Sequence, residues 1–252
     1  MLTIITVTFN NIDGLRKTSK SISDQCTEAV EWIIVDGGST DNSLSFIQNC
    51  KGVSQYISEK DRGIYDAMHK GLHLASGDWV LFLNAGDTFA DLDVINYINA
   101  HLGSLDVYFY ACRMSGLGVE YLRRPRPLSS ASYSVPAIQQ ATVYKRDVLL
   151  RLDWPTCYRV CGDFAIAAQL LKMGATSMCD DRVVAKFELG GVSTIRPVAL
   201  AIEAYQIQSQ ILKLPVLVKV FHFTRRLLTG YFILISYRMR SLINRFRVIS
   251  NA

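Results

Sequence analysis

Three acids in this 252-residue chain stand where a carboxylate can do chemistry: Asp36, Asp87 and Asp163. Asp87 closes the stretch Gly77-Asp-Trp-Val-Leu-Phe-Leu-Asn-Ala-Gly-Asp87. The run Trp79 to Leu83 is almost wholly apolar, so it is expected as a strand inside a sheet covered on both faces. Its end delivers Asn84, Gly86 and Asp87 to a rim open to solvent, where open α/β sheets bind ligands. A carboxylate there can hold a divalent ion, and that ion can hold phosphate. Asp36 ends a second apolar strand, Trp32 to Val35, and opens the turn Asp36-Gly-Gly-Ser-Thr-Asp41. It is placed to accept hydrogen bonds from a base or ribose, although simple turn chemistry accounts for an Asp-Gly-Gly equally well. Asp163 lies in Cys161-Gly-Asp-Phe-Ala-Ile-Ala-Ala-Gln-Leu-Leu171, in the first turn of an amphipathic helix. The helix dipole alone favours an acid at that position.

These acids need a scaffold, and the pattern around them is α/β. Leu2 to Phe9 is a β-branched run, read as a strand rather than a signal peptide. Ile12 to Gln25 reads as a surface helix. A helix from about Asn42 to Gln48 is expected to be capped by Ser39 or Thr40. A loop, Ser58 to Gly63, leads into a helix ending near Gly71. Asp106 to Met114 and Gly118 to Arg123 read as strands. Arg123, Arg124 and Arg126 cluster among prolines, either against acceptor phosphates or as a solvated loop. Gly190-Gly-Val-Ser-Thr-Ile-Arg196 reads as a wall of the cleft before a helix from about Pro197 to Leu212. No Gly-x-Gly-x-x-Gly follows the first strand, and no Walker-type Gly-Lys-Ser/Thr occurs.

The turn Val35 to Asp41, the helix Gly63-Ile-Tyr-Asp-Ala-Met-His-Lys-Gly71 and the strand end Phe82 to Asp87 occur in a specific order. Together they resemble inverting family 2 glycosyltransferases of the GT-A fold, most closely the small bacterial enzymes of colanic-acid, exopolysaccharide or O-antigen assembly. Gly190-Gly-Val-Ser-Thr194 also matches, and the resemblance runs to about residue 213. It implies a Rossmann-like nucleotide-sugar domain with a mixed central sheet. It implies that Thr8, Asn10, Asp36, Asp61, Arg62, Asn84 and Asp87 hold the nucleotide-sugar donor. Asp87 would carry Mg2+ or Mn2+ on the diphosphate, and Asp163 would be the general base. Two departures stand out. The metal turn has one Asp, since Asn84 and Gly86 fill the neighbouring places. Gln139 stands where such enzymes carry a His, and Gln cannot titrate.

Composition adds a tail of different character. Half the residues are hydrophobic, mean hydropathy is +0.17 and the formal charge is +5. No acid follows Glu203, whereas Lys213, Lys219, Arg225, Arg226, Arg238, Arg240, Arg245 and Arg247 all do. Those eight come from 27 basic residues, so the rest of the chain has 19 against 22 acids, about −3. A neutral enzyme with a basic, apolar tail points to an anionic membrane surface rather than to nucleic acid. The uncharged run Leu227 to Tyr237 is too short to span a bilayer. It suits an amphipathic segment in the interface, with a hairpin packed on the domain as the other reading. The expected division is a catalytic domain at 1–213 and C-terminal amphipathic helices at 214–252. The expected location is the cytoplasmic face of the plasma membrane, with a lipid-linked saccharide as acceptor. The six cysteines are expected as reduced thiols, and His69 with His73 as an ordinary helix face. Two other functions fit less of the pattern: a sugar-1-phosphate nucleotidyltransferase, whose basic glycine-rich loop is missing after the first strand, and a noncatalytic assembly subunit with a relic fold.

Overall fold

The computed structural model describes residues 1–25, 30–116, 118–189 and 196–250, with side chains described as far as Phe232 and at Ile235. Among the described residues, alternating apolar and polar-edged runs build nine strands in one mixed sheet. The first four are β1 (Leu2–Thr8), β2 (Val30–Asp36), β3 (Gln55–Ser58) and β4 (Trp79–Phe82), then come β5 (Thr88–Phe89), β6 (Val107–Gly116), β7 (Val119–Arg123), β8 (Thr142–Lys145) and β9 (Ser177–Glu188). Their order is β3-β2-β1-β4-β8-β6-β9-β5, with β7 paired to β6. β1 to β4 are mutually parallel, which aims the ends of β1, β2 and β4 at one edge. β8 then runs antiparallel to both β4 and β6.

Every residue of β1 and β4 is buried; β4 is wholly apolar, and β1 sets Thr3, Thr6 and Thr8 among β-branched and apolar residues. The period of two along each strand sends side chains to two separate cores. Ile5, Val7, Ile33, Val35, Val80 and Phe82 pack with Met68 and Leu72 of α3 (Ile64–Leu74) and Ile166 and Leu170 of α6 (Gly162–Lys172). Leu2, Ile4, Trp32, Ile34, Trp79 and Leu81 face α1 (Ile12–Ser23), α2 (Ser43–Asn49) and α4 (Val94–His101). A short helix, α5 (Arg146–Leu149), follows β8.

The cap of α2 differs from expectation. Neither Ser39 nor Thr40 caps it; Asp41 Oδ1 accepts the Ser43 N–H at 3.0 Å, and its Oδ2 accepts the Ile12 N–H at 3.0 Å. A carboxylate with two oxygens can tie both helix starts together, which one hydroxyl cannot. Ser39 is instead committed to Asp36 and to the Asn10 N–H.

After the sheet come α7 (Pro197–Gln210) and α8 (Val216–Ser250). The expected interfacial segment is thus part of a 35-residue helix. Its first half packs on the domain. Lys219 Nζ donates to Ser209 Oγ at 3.0 Å, Arg226 Nη2 donates to the Tyr133 carbonyl at 2.6 Å, and Gly230 lies against Pro197. Residues 219, 226 and 230 share one face at about 100° per residue. The opposite face carries Leu217, Phe221, Leu228, Phe232 and Ile235, of which Leu217 is 85% exposed and Leu228 74%. Among the described residues no helix is long and apolar enough to cross a membrane.

Candidate active site

A cleft of about 1870 Å³ opens along the strand ends and runs under α8. Asp61, Arg62, Asn84, Asp87 and Asp163 all line it. Five of the expected site residues are therefore brought together from loops far apart in sequence.

Asp87 sits differently from the sequence expectation. It is not on an open rim: only 6% of it is exposed. The turn at Gly86, with φ of 108°, bends the chain back so that Asp87 points inward. Gln140 Nε2 donates to Asp87 Oδ2 at 2.8 Å, and the Glu188 N–H approaches Oδ1 at 3.4 Å. Burial pushes its pKa up to about 7, against the pull of these donors and of Lys17. Beside it, Asn84 Oδ1 is buried without a hydrogen-bond partner. Among the described residues no three His, Cys, Asp or Glu side chains cluster as a self-sufficient metal site. One carboxylate and one orphaned amide oxygen nevertheless fit a hard cation that takes its other ligands from a diphosphate and water.

Asp36, Thr8 and Ser58 lie level across three neighbouring strands, since Thr8 pairs with Asp36 and Asp36 with Ser58. Asp36 is fully buried. Its Oδ2 accepts from Ser58 Oγ at 2.6 Å, and both its oxygens accept the Ser39 N–H at 3.2 Å. Thr8 Oγ1 is buried without a partner. Asn10 adopts a left-handed φ of 47°, and its Oδ1 accepts the Thr40 N–H at 2.8 Å. Thr8, Asn10 and Asp36 are not among the residues that line the cleft; they bond the Gly37, Thr40 and Ser39 N–H groups of the loop 36–41. Asp61 Oδ1 accepts the Gly63 N–H at 2.8 Å, which sets the start of α3. Arg62 is tied back to the buried Asp66, Nη2 to Oδ1 at 2.9 Å. That guanidinium is the leading cause of the lowered Asp66 pKa.

Asp163 stands at the start of α6, partly exposed in the cleft, and its Oδ1 accepts the Phe164 N–H at 2.7 Å. Burial raises its pKa to about 6, opposed by that N–H and by the Arg123 charge. Gly162 is required here, because a Cβ would come within 2.5 Å of the Tyr65 ring. The contact lets the Asp163 N–H reach the Tyr65 hydroxyl at 3.3 Å, and that hydroxyl in turn donates to the Val160 carbonyl at 3.3 Å. Gln139 also lines the cleft; its Oε1 accepts from the Tyr144 hydroxyl at 3.1 Å, while its Nε2 is buried without a partner.

The basic cluster divides. Arg123 and Arg126 line the cleft, whereas Arg124 forms an ion pair with Asp181. The loop Gly190 to Thr194 lies outside the described residues. His69 stacks on Trp154 with ring centroids 5.3 Å apart, a packed helix face as expected. Cys50, Cys112, Cys157, Cys161 and Cys179 are free thiols, and Cys26 lies outside the described residues. Sequence reasoning missed Tyr65, Gln140 and the cleft-facing arginines of α8. Gln140 left one signal, a second amide beside Gln139 at the entry to a buried strand.

Comparison with known proteins bears on the family and the fold. The description "Glycosyl transferase family 2" matches residues 3–172. An uncharacterized glycosyltransferase of Mycobacterium tuberculosis is 41% identical over 96 residues, 37% of either chain. A PGL/p-HBAD biosynthesis glycosyltransferase of Mycobacterium bovis is 36% identical over 107 residues, 41% of this chain and 42% of that one. The match thus spans about two fifths of the length of these curated relatives. Among solved structures, a mannosyltransferase from Pyrobaculum calidifontis in complex with GDP-Man and Mn2+ superposes with a TM-score of 0.69 at 16% identity, over 100% of this chain and 80% of that one. S. aureus TarS in complex with UDP superposes at 0.61, also at 16% identity, over 84% of this chain and 70% of that one. At such identity the likeness is one of fold, and the fold is the expected GT-A arrangement.

Proposed function

The chain belongs to glycosyltransferase family 2, and on that premise we propose that it moves a sugar from a nucleotide diphosphate sugar to a saccharide acceptor with inversion at the anomeric carbon. The observation that carries this reading is the pair of buried-edge carboxylates, Asp87 and Asp163, on one cleft with pKa values raised to about 7 and about 6 by burial. Two acids held apart by environment divide into different roles. Asp87 and Asn84 face the diphosphate, with Asp61 and Arg62 on the same wall. A divalent cation, Mg2+ or Mn2+, bound at Asp87 would offset diphosphate charge.

Asp163 takes the acceptor proton. The acceptor oxygen forms a bond to the anomeric carbon from the side opposite the diphosphate. The bond from that carbon to the diphosphate oxygen breaks, its electron pair leaves with the nucleoside diphosphate, and the hydroxyl proton ends on Asp163 Oδ. A pKa near 6 leaves the carboxylate mostly ionised at neutral pH yet basic enough to accept a proton. Gln139 contributes a hydrogen-bond donor where charge chemistry is unavailable to it.

The tail completes the reading. The exposed apolar face of α8 and its excess of Lys and Arg suit peripheral attachment to an anionic membrane, on the cytoplasmic side in a bacterial surface-polysaccharide or glycolipid route. Residues 1–213 then form the catalytic domain, and 214–252 a helical appendage that also closes the cleft. A lipid-linked acceptor would meet the site at that membrane. The test is incubation of the purified chain with a panel of nucleotide sugars and Mn2+. Release of nucleoside diphosphate is expected for one donor; release of pyrophosphate, or silence across the panel, would refute the transferase reading.

A further inference from the structure

We propose that Glu203 of α7 is a positioning residue for Asp163: its carboxylate holds the turn 159–161, from which α6 springs, and so fixes where the Asp163 side chain stands in the cleft. This rests on the reading of Asp163 as general base and extends it to a residue that does not itself line the cleft.

The start of α6 has no side-chain cap of its own. Cys161 flanks it and makes no capping hydrogen bond. The N–H groups at and before a helix start must find partners elsewhere. Glu203 takes three in succession. The Arg159 N–H donates to Oε1 at 3.0 Å, and the Val160 and Cys161 N–H groups donate to Oε2 at 2.9 and 2.8 Å. Successive N–H groups turned to one point form a concave seat for an anion, and bonds to an ionised acceptor are stronger than neutral ones. The other side of the turn is tied as well. The Tyr65 hydroxyl donates to the Val160 carbonyl at 3.3 Å and accepts the Asp163 N–H at 3.3 Å. The Cys161 thiol donates to the Leu200 carbonyl of α7 at 3.5 Å.

Val160, Cys161, Phe164 and Ala165 pack with Ala204 and Ile207 of α7 in one apolar cluster. Apolar contact is non-directional, so it brings α6 and α7 together without fixing the path of the turn. The three bonds to Glu203 fix that path, and Asp163 is two residues beyond the last of them. No acid follows Glu203 in the chain, so neither the rest of α7 nor α8 has a carboxylate to take its place.

The same carboxylate acts on Asp163 through space. The ionisable groups around Asp163 are Tyr65 of α3, Arg123 of β7, Tyr144 of β8, Cys161 of the turn and Glu203 of α7. Arg226 of α8 lies over the neighbouring Phe164 ring. Burial keeps Tyr65, Tyr144 and Cys161 neutral near pH 7. Burial is also the first cause of the raised Asp163 pKa; the Arg123 charge draws it down, and the Glu203 charge adds to the rise. Glu203 thus helps to keep the carboxylate basic enough to take a proton, while Arg123 helps to keep it ionised.

The test uses the full chain with isotope-labelled Asp carboxyls, titrated by NMR; the Asp163 signal is the one lost in Asp163→Asn. In Glu203→Gln the Asp163 midpoint is expected to fall by at least about half a unit. The Arg159, Val160 and Cys161 amides are expected to exchange hydrogen at least about tenfold faster, with the amides of β1 and β4 at wild-type rates. With the donor selected by the nucleotide-sugar panel, kcat is expected to fall about 10- to 100-fold and the donor KM to stay within about threefold. Glu203→Asp keeps the charge one methylene short and is expected to recover part of each effect. It serves alone if Glu203→Gln fails to fold, and must then still lower the midpoint and speed the three amides. An Asp163 midpoint that stays or rises in a folded variant overturns the proposal. So does exchange that quickens equally across the sheet, or a kcat within about twofold of wild type. The titration and exchange need no substrate, so they stand apart from the outcome of the panel. Full transfer by Asp163→Asn is a distinct result that sinks the base reading, and with it the catalytic meaning of the turn.

Discussion

Gln140 Nε2 donates to the buried Asp87 Oδ2 at 2.8 Å, from a residue 53 positions later in the chain. The pair joins the entry of β8 to the turn after β4, two neighbouring antiparallel strands. Through it, the strand that closes the parallel half of the sheet also holds the carboxylate proposed to face the donor. Removing the Gln140 donor by Gln140→Ala is expected to leave the fold intact and to raise the Mn2+ concentration for half-maximal activity by about 10- to 100-fold. A metal titration of transfer checks this. Unchanged metal dependence would mean that Gln140 does not orient Asp87.

Asp87 is expected to cost stability at neutral pH. Its pKa rises from 3.8 to about 7 on folding. Below about pH 4 both states are protonated and nothing is lost. Between about 4 and 7 the unfolded chain ionises first, so stability falls as pH rises, levelling above about 7. Three pKa units correspond at most to about 4 kcal/mol. Asp87→Asn, with the Gln140 amide turned to accept, is expected to melt higher than wild type at pH 8 and nearly alike at pH 4. Thermal denaturation at the two pH values decides it; a variant less stable at pH 8 refutes the shift. Transfer by Asp87→Ala is expected below about a tenth of wild type.

Asp163→Asn keeps the shape and removes the proton acceptor. Transfer is expected to drop by about 10² to 10⁴ while nucleoside diphosphate binding stays near wild type. In the wild type, kcat/KM is expected to rise with pH through about 6, where Asp163 ionises. Arg123→Gln takes away a cation that favours the ionised form, so the rising limb should move to higher pH. A limb that stays in place would show that Arg123 acts elsewhere; calorimetry that finds donor binding lost in Asp163→Asn would move Asp163 to the donor.

The outer face of α8 gives the membrane prediction. Leu217, Leu228 and Phe232 are 85%, 74% and 73% exposed. Each Lys or Arg near an anionic surface adds about 1 kcal/mol, weakened by salt. The full chain is expected to co-sediment with anionic liposomes and to leave them in high salt. Leu228→Glu with Phe232→Glu is expected to abolish sedimentation while nucleotide binding persists. Equal sedimentation of that double variant would mean that this face does not meet lipid.

Much of the scaffold could be read directly from the chain. The β-branched run at Leu2 to Phe9 and the apolar runs at Trp32 to Val35 and Trp79 to Leu83 read as buried strands, and each lies within or overlaps β1, β2 or β4. The motif order around Asp36, Gly63 and Asp87 carried the family. The cap of α2 was not legible, because Ser39, Thr40 and Asp41 all bear suitable oxygens and the choice depends on Asn10, Asp36 and Ile12.

Sequence by itself determined the α/β class, the strand ends and which acids lie there, since hydrophobic period and turn residues act over a few positions. Only the tertiary structure decided what each acid experiences. Asp36 and Asp87 both follow apolar strands. One is saturated by Ser39 and Ser58, and the other has its pKa pushed to about 7 with Gln140 as its side-chain partner. Arg225 and Arg226 read as tail charges until α8 folds back, lines the cleft with both and sets Arg226 over the ring of Phe164, next in sequence to Asp163. Burial and charge pairing are properties of atoms that meet in space, and at Asp87 and Arg226 those atoms come from segments more than fifty residues apart in the chain.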